Sequence, residues 1–120
     1  MQPAERDPSC LFCKIIAGEI PAQRLTETDE AIAIADINPQ APTHVLVIPR
    51  RHIASIANLI PADAATLADV IATANAIARE QGIDASGYRL VVNHGADAGQ
   101  SVPHLHVHVL GGRTLGWPPG

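Results

Sequence analysis

Apolar residues along the chain recur with two different periods, and each period predicts a different kind of element. Between Pro61 and Gln81 they recur at spacings of three and four, which places one apolar stripe on a helix that Gly82 ends. The stripe is formed by Leu67, Val70, Ile71, Ala74, Ile77 and Ala78. One long amphipathic helix is therefore predicted in the second half of the chain.

Shorter segments are rich in β-branched residues or place apolar residues at every second position, as strands do. Four strands are predicted in this way, over residues 31–35, 45–48, 88–93 and 104–110. A short helix is predicted over residues 10–17, with Ser9 as its N-cap and Gly18 at its end. Strands on either side of one long helix predict an α+β domain whose mostly antiparallel sheet carries helices on one face.

The length and composition are those of one globular domain. The chain has 120 residues, of which 47% are apolar and 17% charged, so it can bury a core but has no room for a second domain. Residues 1–8 carry two prolines and several charges without periodicity. We therefore predict a flexible N-terminal arm over residues 1–8 and a single domain over residues 9–120.

Charge and hydropathy argue against two classes of partner. The formal net charge is −4 and the chain has one Phe, one Tyr and one Trp, a composition unlike that of nucleic-acid-binding surfaces. No run of about 18 apolar residues occurs, so no membrane-spanning helix is predicted. The start of the chain lacks the pattern of a secretory signal, and a cytoplasmic protein is expected.

Three histidines alternate with apolar residues near the end of the chain, at His104, His106 and His108. Every second side chain of a strand points to the same face, so the imidazoles are predicted to form one row with a spacing of about 7 Å. Three interpretations are open: an exposed strand face, a metal-binding row with one position left for water, and nucleophilic catalysis. In the last case, a neutral imidazole attacks phosphorus without a separate base and forms a covalent phosphoramidate.

The residues before the row favour phosphorus chemistry. Asn93, Gln100 and Ser101 supply neutral hydrogen-bond donors, and Gly95 and Gly99 allow the backbone to approach a ligand closely. Donors of this kind stabilise the charge that develops on a phosphoryl group during transfer. Their position directly before three alternating histidines indicates one common site.

The sequence resembles the histidine triad superfamily, whose signature alternates three histidines with apolar residues. Residues 104–110 match that signature throughout, and the resemblance extends over residues 11–16, 36–52, 99–102 and 111–120. The closing Trp-Pro-Pro-Gly is similar to the Hint branch, the histidine triad nucleotide-binding proteins. It is less similar to the diadenosine polyphosphate hydrolases or the longer uridylyltransferases.

The resemblance implies a role for each matched catalytic residue. His106 would be the nucleophile that attacks the α-phosphorus of a nucleoside phosphoramidate, and water would then hydrolyse the nucleotidyl-histidine. His108 would bind phosphate and leaving-group oxygens, while Ser101 would place or protonate the leaving amine. His104 and His44 would orient their neighbours. No cofactor is needed for this chemistry.

The resemblance also implies a nucleotide site and a second subunit. Asn93 and Gln100 would lie on the phosphate side, and Asp36 would bind the ribose hydroxyls. The purine would contact apolar residues, namely Leu11, Phe12, Ile15, Ile34 and Ile37. Family members are homodimers in which two five-stranded antiparallel sheets, each with one long and one short helix, join into ten strands. Trp117 would lie near the active site of the partner subunit.

Cys10 and Cys13 form a C-x-x-C pair, which alone fits zinc binding, redox chemistry or two buried thiols. Members of the superfamily with such a pair often hold a zinc ion, and the resemblance implies that His52 and His104 complete its ligands. Two thiolates and two imidazoles form a closed tetrahedral set, which is typical of a structural zinc.

The sequence therefore predicts a hydrolase that cleaves purine nucleoside phosphoramidates through a covalent adduct on His106 and releases a purine nucleoside monophosphate. Three alternatives stay open at this point. The chain could be a nucleotide-binding regulatory module with negligible turnover, a dinucleoside polyphosphate hydrolase, or a hydrolase that uses the histidine row to bind a catalytic metal.

Overall fold

A computed structural model describes residues 6–120, in which two helices pack on a five-stranded antiparallel sheet. The helices are α1 (Leu11–Ile16) and α2 (Ala64–Glu80). The strands are β1 (Arg24–Glu27), β2 (Ala31–Ala35), β3 (Thr43–Pro49), β4 (Tyr88–Val91) and β5 (Val107–Gly111). Their order across the sheet is β1-β2-β3-β5-β4, so β3 and β5 lie at its centre.

The central strands are buried on both faces, and the two faces carry different side chains. One face consists of alanines and valines that pack against α2, namely Ala31, Ala33, Val45, Val47, Val107 and Val109. The other face carries larger residues that pack against α1, namely Ile32, Ile34, Leu46 and Ile48. The prediction that both helices lie on one face of the sheet is therefore wrong. Apolar residues at successive positions of β2 and β3 bury both faces.

The predicted elements are found, with shifted boundaries. The long helix begins at Ala64, after a 3₁₀ turn over Pro61–Asp63. β1 was not predicted, because the sequence RLTE has no apolar alternation and its pairing depends on β2. Arg24 and Arg50 both contact Glu27 on this outer strand. Charged groups on an edge strand discourage pairing with other chains.

The short helix α1 is capped by Cys10 rather than by the predicted Ser9. The thiol of Cys10 accepts a hydrogen bond from the main-chain N–H of Cys13 at 3.3 Å. The hydroxyl and main-chain N–H of Ser9 instead donate to Asp7, so Ser9 has no capping contact with the helix. The cap therefore also brings the two cysteines together.

The predicted arm over residues 1–8 lies for the most part outside the described residues. Within the described part, Arg6 forms an ion pair with Glu19, and the main-chain N–H of Asp7 lies 3.4 Å from the sulfur of Cys13. Between residues 6 and 120, neither helix has the length and apolar character needed to cross a membrane.

Candidate active site and metal centre

The three alternating histidines divide into two groups instead of forming one row. β5 begins at Val107, so His108 lies in the strand and His104 and His106 precede it. The segment before β5 is held outside the sheet, where the main-chain N–H of Leu105 donates to the carbonyl of Ile53 at 2.6 Å. The prediction of one evenly spaced row is therefore wrong. His106 and His108 face a cavity, whereas His104 turns towards the two cysteines.

The hydrogen bonds of His106 determine which ring nitrogen is free. Its Nδ1 lies 2.7 Å from the main-chain carbonyl oxygen of His104, and a carbonyl can only accept. Nδ1 therefore carries the proton, and Nε2 keeps its lone pair. The edge of the Phe12 ring packs against His106 with 5.0 Å between ring centroids. His106 thus has the tautomer that a nucleophile attacking through Nε2 requires.

His108 is assigned the opposite tautomer by a chain of hydrogen bonds. The main-chain N–H of Gln40 donates to Nδ1 of His44 at 3.0 Å, which leaves the proton of a neutral His44 on Nε2. That nitrogen lies 2.9 Å from Nδ1 of His108, so His108 accepts there and carries its proton on Nε2. Burial, reinforced by His106 and His44, lowers the pKa of His108 to about 4. His108 is therefore a neutral hydrogen-bond donor near pH 7.

Asp36 borders both this chain and the cavity. Its Oδ2 lies 3.4 Å from Nε2 of His44, and its Oδ1 accepts the main-chain N–H of Asn38 at 2.8 Å. Asp36, His44 and His108 are close enough together to be metal ligands. However, the proton on Nε2 of His44 occupies the position that a ligand lone pair would need. The three side chains are better described as a hydrogen-bonded chain.

A cavity of about 340 Å³ lies in front of His106 and His108. Nine of the predicted residues line it, namely Leu11, Phe12, Ile15, Ile34, Asp36, Ile37, Ser101, His106 and His108. Six further residues complete the wall, namely Ile20, Pro21, Ala22, Ala35, Leu46 and Val102. Leu46 stands two positions after His44 in β3, so strand alternation could have identified it. The Ile20–Ala22 segment has no comparable signal, because it reaches the cavity through a turn.

Three predicted nucleotide-binding residues do not line this cavity. The side chain of Gln100 holds its own loop by donating to the carbonyls of Ala54 and Val102 and by accepting the N–H of Gly95. Asn93 is half-buried beside the loop, and Trp117 is 82% exposed. Their roles towards a nucleotide stay predictions.

A larger cavity of about 700 Å³ lies beyond the C-terminal end of α2, between residues 81–89 and residues 112–115. It contains none of the predicted site residues. Chemistry is therefore assigned to the smaller cavity, where the histidines and Asp36 converge.

The remaining histidines form a cluster with the two cysteines, as the resemblance implied. Nδ1 of His104 lies 3.3 Å from the sulfur of Cys10, 3.5 Å from the sulfur of Cys13 and 3.2 Å from Nδ1 of His52. The sulfur of Cys13 is 3.4 Å from Nδ1 of His52. Tetrahedral zinc with its usual bond lengths would separate two nitrogens by about 3.3 Å and a nitrogen from a sulfur by about 3.6 Å. The donor atoms therefore have the spacing of a zinc site.

The hydrogen bonds around this cluster also fit metal ligation. Nε2 of His104 donates to the carbonyl of Pro49 at 2.8 Å, so Nδ1 directs its lone pair at the cluster. Burial lowers the pKa of His104 to about 4, which keeps the ring neutral. Each sulfur accepts one main-chain N–H, Cys10 from Cys13 and Cys13 from Asp7. Such bonds favour the thiolates that bind metals.

Comparison with known proteins gives a consistent result. The HIT domain family matches residues 17–115. An uncharacterized HIT-like protein of Synechocystis sp. is 46% identical over 110 residues, which cover 92% of this chain and 96% of that protein. A HIT family hydrolase from Legionella pneumophila Philadelphia 1 superimposes with a TM-score of 0.92 at 48% identity, over 93% of this chain and 100% of that chain.

The histidine triad nucleotide-binding protein from Candida albicans is also similar in structure. It superimposes with a TM-score of 0.78 at 38% identity, over 92% of this chain and 83% of that chain.

Proposed function

The chain belongs to the HIT domain family, and from this premise we propose that it is a purine nucleoside phosphoramidase that works through a nucleotidyl adduct on His106. The observation that carries the proposal is the tautomer of His106. Its Nδ1 is bonded to a carbonyl, so the lone pair of Nε2 is available at the cavity wall. The hydrolase named among the structural neighbours supports the same class of reaction.

The first chemical step forms a bond between Nε2 of His106 and the α-phosphorus and breaks the bond from phosphorus to the leaving nitrogen. The positive charge that develops on the imidazole is stabilised because its Nδ1–H keeps the bond to the carbonyl of His104. The leaving amine takes up a proton, for which the exposed Ser101 at the cavity wall is the nearest predicted source. Water then attacks phosphorus, and a nucleoside monophosphate leaves while His106 is restored.

Phosphate binding is assigned to His108. Its Nε2–H is held as a donor by His44, and the low pKa of His108 preserves this state near pH 7. A fixed neutral donor suits a group that must stabilise phosphoryl oxygens at each stage of transfer. Gln100 is assigned an indirect role, because its amide fastens the loop that carries Ser101.

The nucleoside would occupy the apolar part of the same cavity. Phe12, Ile15 and Ile34 supply apolar walls, and Ile37 is fully exposed at the rim, where a base could cover it. Asp36 offers a carboxylate that can accept from two adjacent ribose hydroxyls. A volume of about 340 Å³ falls in the range of small-ligand sites.

We further propose that the Cys/His cluster holds a structural zinc. Cys10, Cys13, His52 and His104 would supply four ligands and leave no open position, so the ion would contribute to folding and not take part in the reaction. Elemental analysis of the purified protein tests this assignment, with one zinc per chain as the expected result. The variant Cys10→Ser is expected to lose the metal.

A homodimer is proposed from the free edge of the sheet. β4 is the outermost strand opposite the charged strand β1, and Leu90 and Val92 beside its edge are only partly buried. Pairing of two β4 strands would produce a ten-stranded sheet and cover this edge. Sedimentation equilibrium is expected to give twice the mass of one chain, and a monomer at micromolar concentration would contradict the proposal.

The proposed activity is tested by single-turnover mass spectrometry with an adenosine phosphoramidate. The native chain is expected to show a transient adenylyl adduct on His106, followed by release of AMP. The variant His106→Ala is expected to show neither. Full hydrolysis by that variant would remove the nucleophile assignment, and AMP binding without any adduct or product would identify a nucleotide-binding module.

A further inference from the structure

His104 belongs to both groups of histidines at once. Its ring points into the Cys/His cluster, while its main-chain carbonyl accepts the proton of His106. We propose that the metal centre positions the nucleophile: the metal holds His104, and His104 fixes the orientation and tautomer of His106. This inference rests on the proposed function, in which His106 attacks phosphorus, and it makes His104 a positioning residue.

The carbonyl of His104 can be placed accurately because the rest of the residue is anchored. Nε2 donates to the carbonyl of Pro49 at 2.8 Å, and the main-chain N–H donates to the carbonyl of Val102 at 2.9 Å. Nδ1, the remaining polar atom of the ring, is directed at the metal position. The carbonyl is then left 2.7 Å from Nδ1 of His106. Removal of the metal would release one of the three anchors of this residue.

Phe12 provides a second connection between the metal centre and the nucleophile. It lies between Cys10 and Cys13 in sequence, and its ring meets both His104 and His106 edge-on, at centroid distances of 6.0 Å and 5.0 Å. Helix α1 has six residues, which is too short to be stable by itself. Its position therefore depends on the contacts of the two cysteines, so the metal would also keep Phe12 against the ring of His106.

A loosened His106 would lose reactivity without losing its nitrogen atoms. When the carbonyl no longer receives Nδ1–H, a neutral imidazole can place its proton on Nε2 instead, and the lone pair at the cavity disappears. The fraction of molecules able to attack phosphorus then falls. The chemical step should suffer more than nucleoside binding, because Ile15, Ile34 and Asp36 do not contact the metal ligands through hydrogen bonds.

The test compares His52→Ser with His52→Cys, since His52 contacts the cluster and does not line the cavity. His52→Ser removes one ligand, whereas His52→Cys offers a thiolate in its place. The tautomer of His106 is read without substrate from two-bond ¹H–¹⁵N NMR spectra, with His106→Gln identifying its signals. We expect the Nδ1–H form in the native and His52→Cys proteins and a mixture of tautomers in metal-free His52→Ser.

Kinetics give the second readout. In His52→Ser the rate constant of adduct formation should fall about 10- to 100-fold, with KM changed about threefold or less, and His52→Cys should recover most of this loss. Arg51→Ala serves as the matched control, because it breaks the ion pair with Asp63 beside the cluster without removing a ligand. An equal loss of rate in Arg51→Ala would reduce the effect to general stability and overturn the proposal.

A native-chain experiment covers the case in which His52→Ser does not fold. The protein is loaded with Zn²⁺ or with the larger Cd²⁺, and the ¹H resonance of Nδ1–H of His106 is compared. A shift supports the connection, and an identical resonance in both forms overturns it. If the tautomer follows the metal but no phosphoramidate is cleaved, the proposed function fails and the connection stands. Hydrolysis with a metal-independent tautomer and rate has the opposite meaning.

Discussion

The two faces of β3 and β5 differ in chemistry although their residues alternate along the same strands. On the α2 side, Val45, Val47, Val107 and Val109 are buried and apolar. On the α1 side, His44 and Leu46 of β3 lie against His108 of β5. The comparison teaches that position parity decides whether a residue serves the core or the cavity. Substitutions at neighbouring positions should therefore have separable effects on stability and activity.

The sharpest test of this separation uses two consecutive residues, His106 and Val107. His106→Ala should lower kcat at least about 10⁴-fold, because it removes the proposed nucleophile and leaves no substitute. Val107→Ala should leave kcat within about twofold while lowering the free energy of unfolding by roughly 2 to 3 kcal/mol through a cavity against α2. Steady-state kinetics and urea unfolding of both variants, measured at a temperature where both are folded, check the prediction.

Crossed effects would break the comparison. A Val107→Ala protein that is stable but inactive would mean that packing on the α2 side controls the site directly. An inactive His106→Ala protein that is also strongly unfolded would leave the loss of activity to stability, and the variant His106→Gln would then separate the two.

The metal centre gives the next largest effect, and it belongs to the α1 side of the sheet. Cys13→Ser should lower the free energy of unfolding by about 3 kcal/mol or more, because structural metal binding is part of the folding free energy of such sites. Ser9→Ala, a neighbour without a contact to the cluster, should change it by less than about 1 kcal/mol. Unfolding curves of both variants, with and without a chelator, test this. A chelator that leaves the native curve unchanged would contradict the zinc assignment.

Much of the α2 side could be predicted from the sequence, and less of the α1 side. The periodic stripe of α2 and the alternation of β2 are local signals, and both elements are found. β1 escaped prediction, because an outer strand with polar residues is formed by its partner and not by its own pattern. The opposite placement of the helices was missed because burial of both sheet faces is a tertiary property.

The same limit applies to the site. Residue types and the family resemblance identified the histidines and cysteines that cluster in space. The tautomers depend on main-chain groups of Gln40, Pro49 and His104, and every residue has such groups. Sequence therefore indicates which side chains take part, whereas geometry decides which nitrogen each of them presents.

A smaller effect is expected from the hydrogen-bonded chain behind His108. His44→Phe keeps an aromatic ring but removes the donor to Nδ1 of His108, so kcat should fall about 10- to 100-fold with little change in stability. His44→Gln, whose amide can still donate, should recover part of the rate. Both variants are compared by kcat and KM. Unchanged kcat in His44→Phe would show that His108 needs no fixed tautomer.

The smallest effect is a dependence of stability on pH that only the α1 side should show. Burial lowers the pKa of His108 from its ordinary 6.5 to about 4 in the folded chain. Between these values the unfolded chain binds more protons, so the free energy of unfolding should fall as the pH falls from 6.5 to 4. The slope for one histidine is at most about 1.4 kcal/mol per pH unit, and solvent near this half-exposed ring reduces it. His108→Gln should flatten the urea-unfolding profile in this window, whereas Val109→Ala, on the opposite face, should lower stability equally at every pH. A His108→Gln profile parallel to the native one would assign the acid sensitivity to other groups.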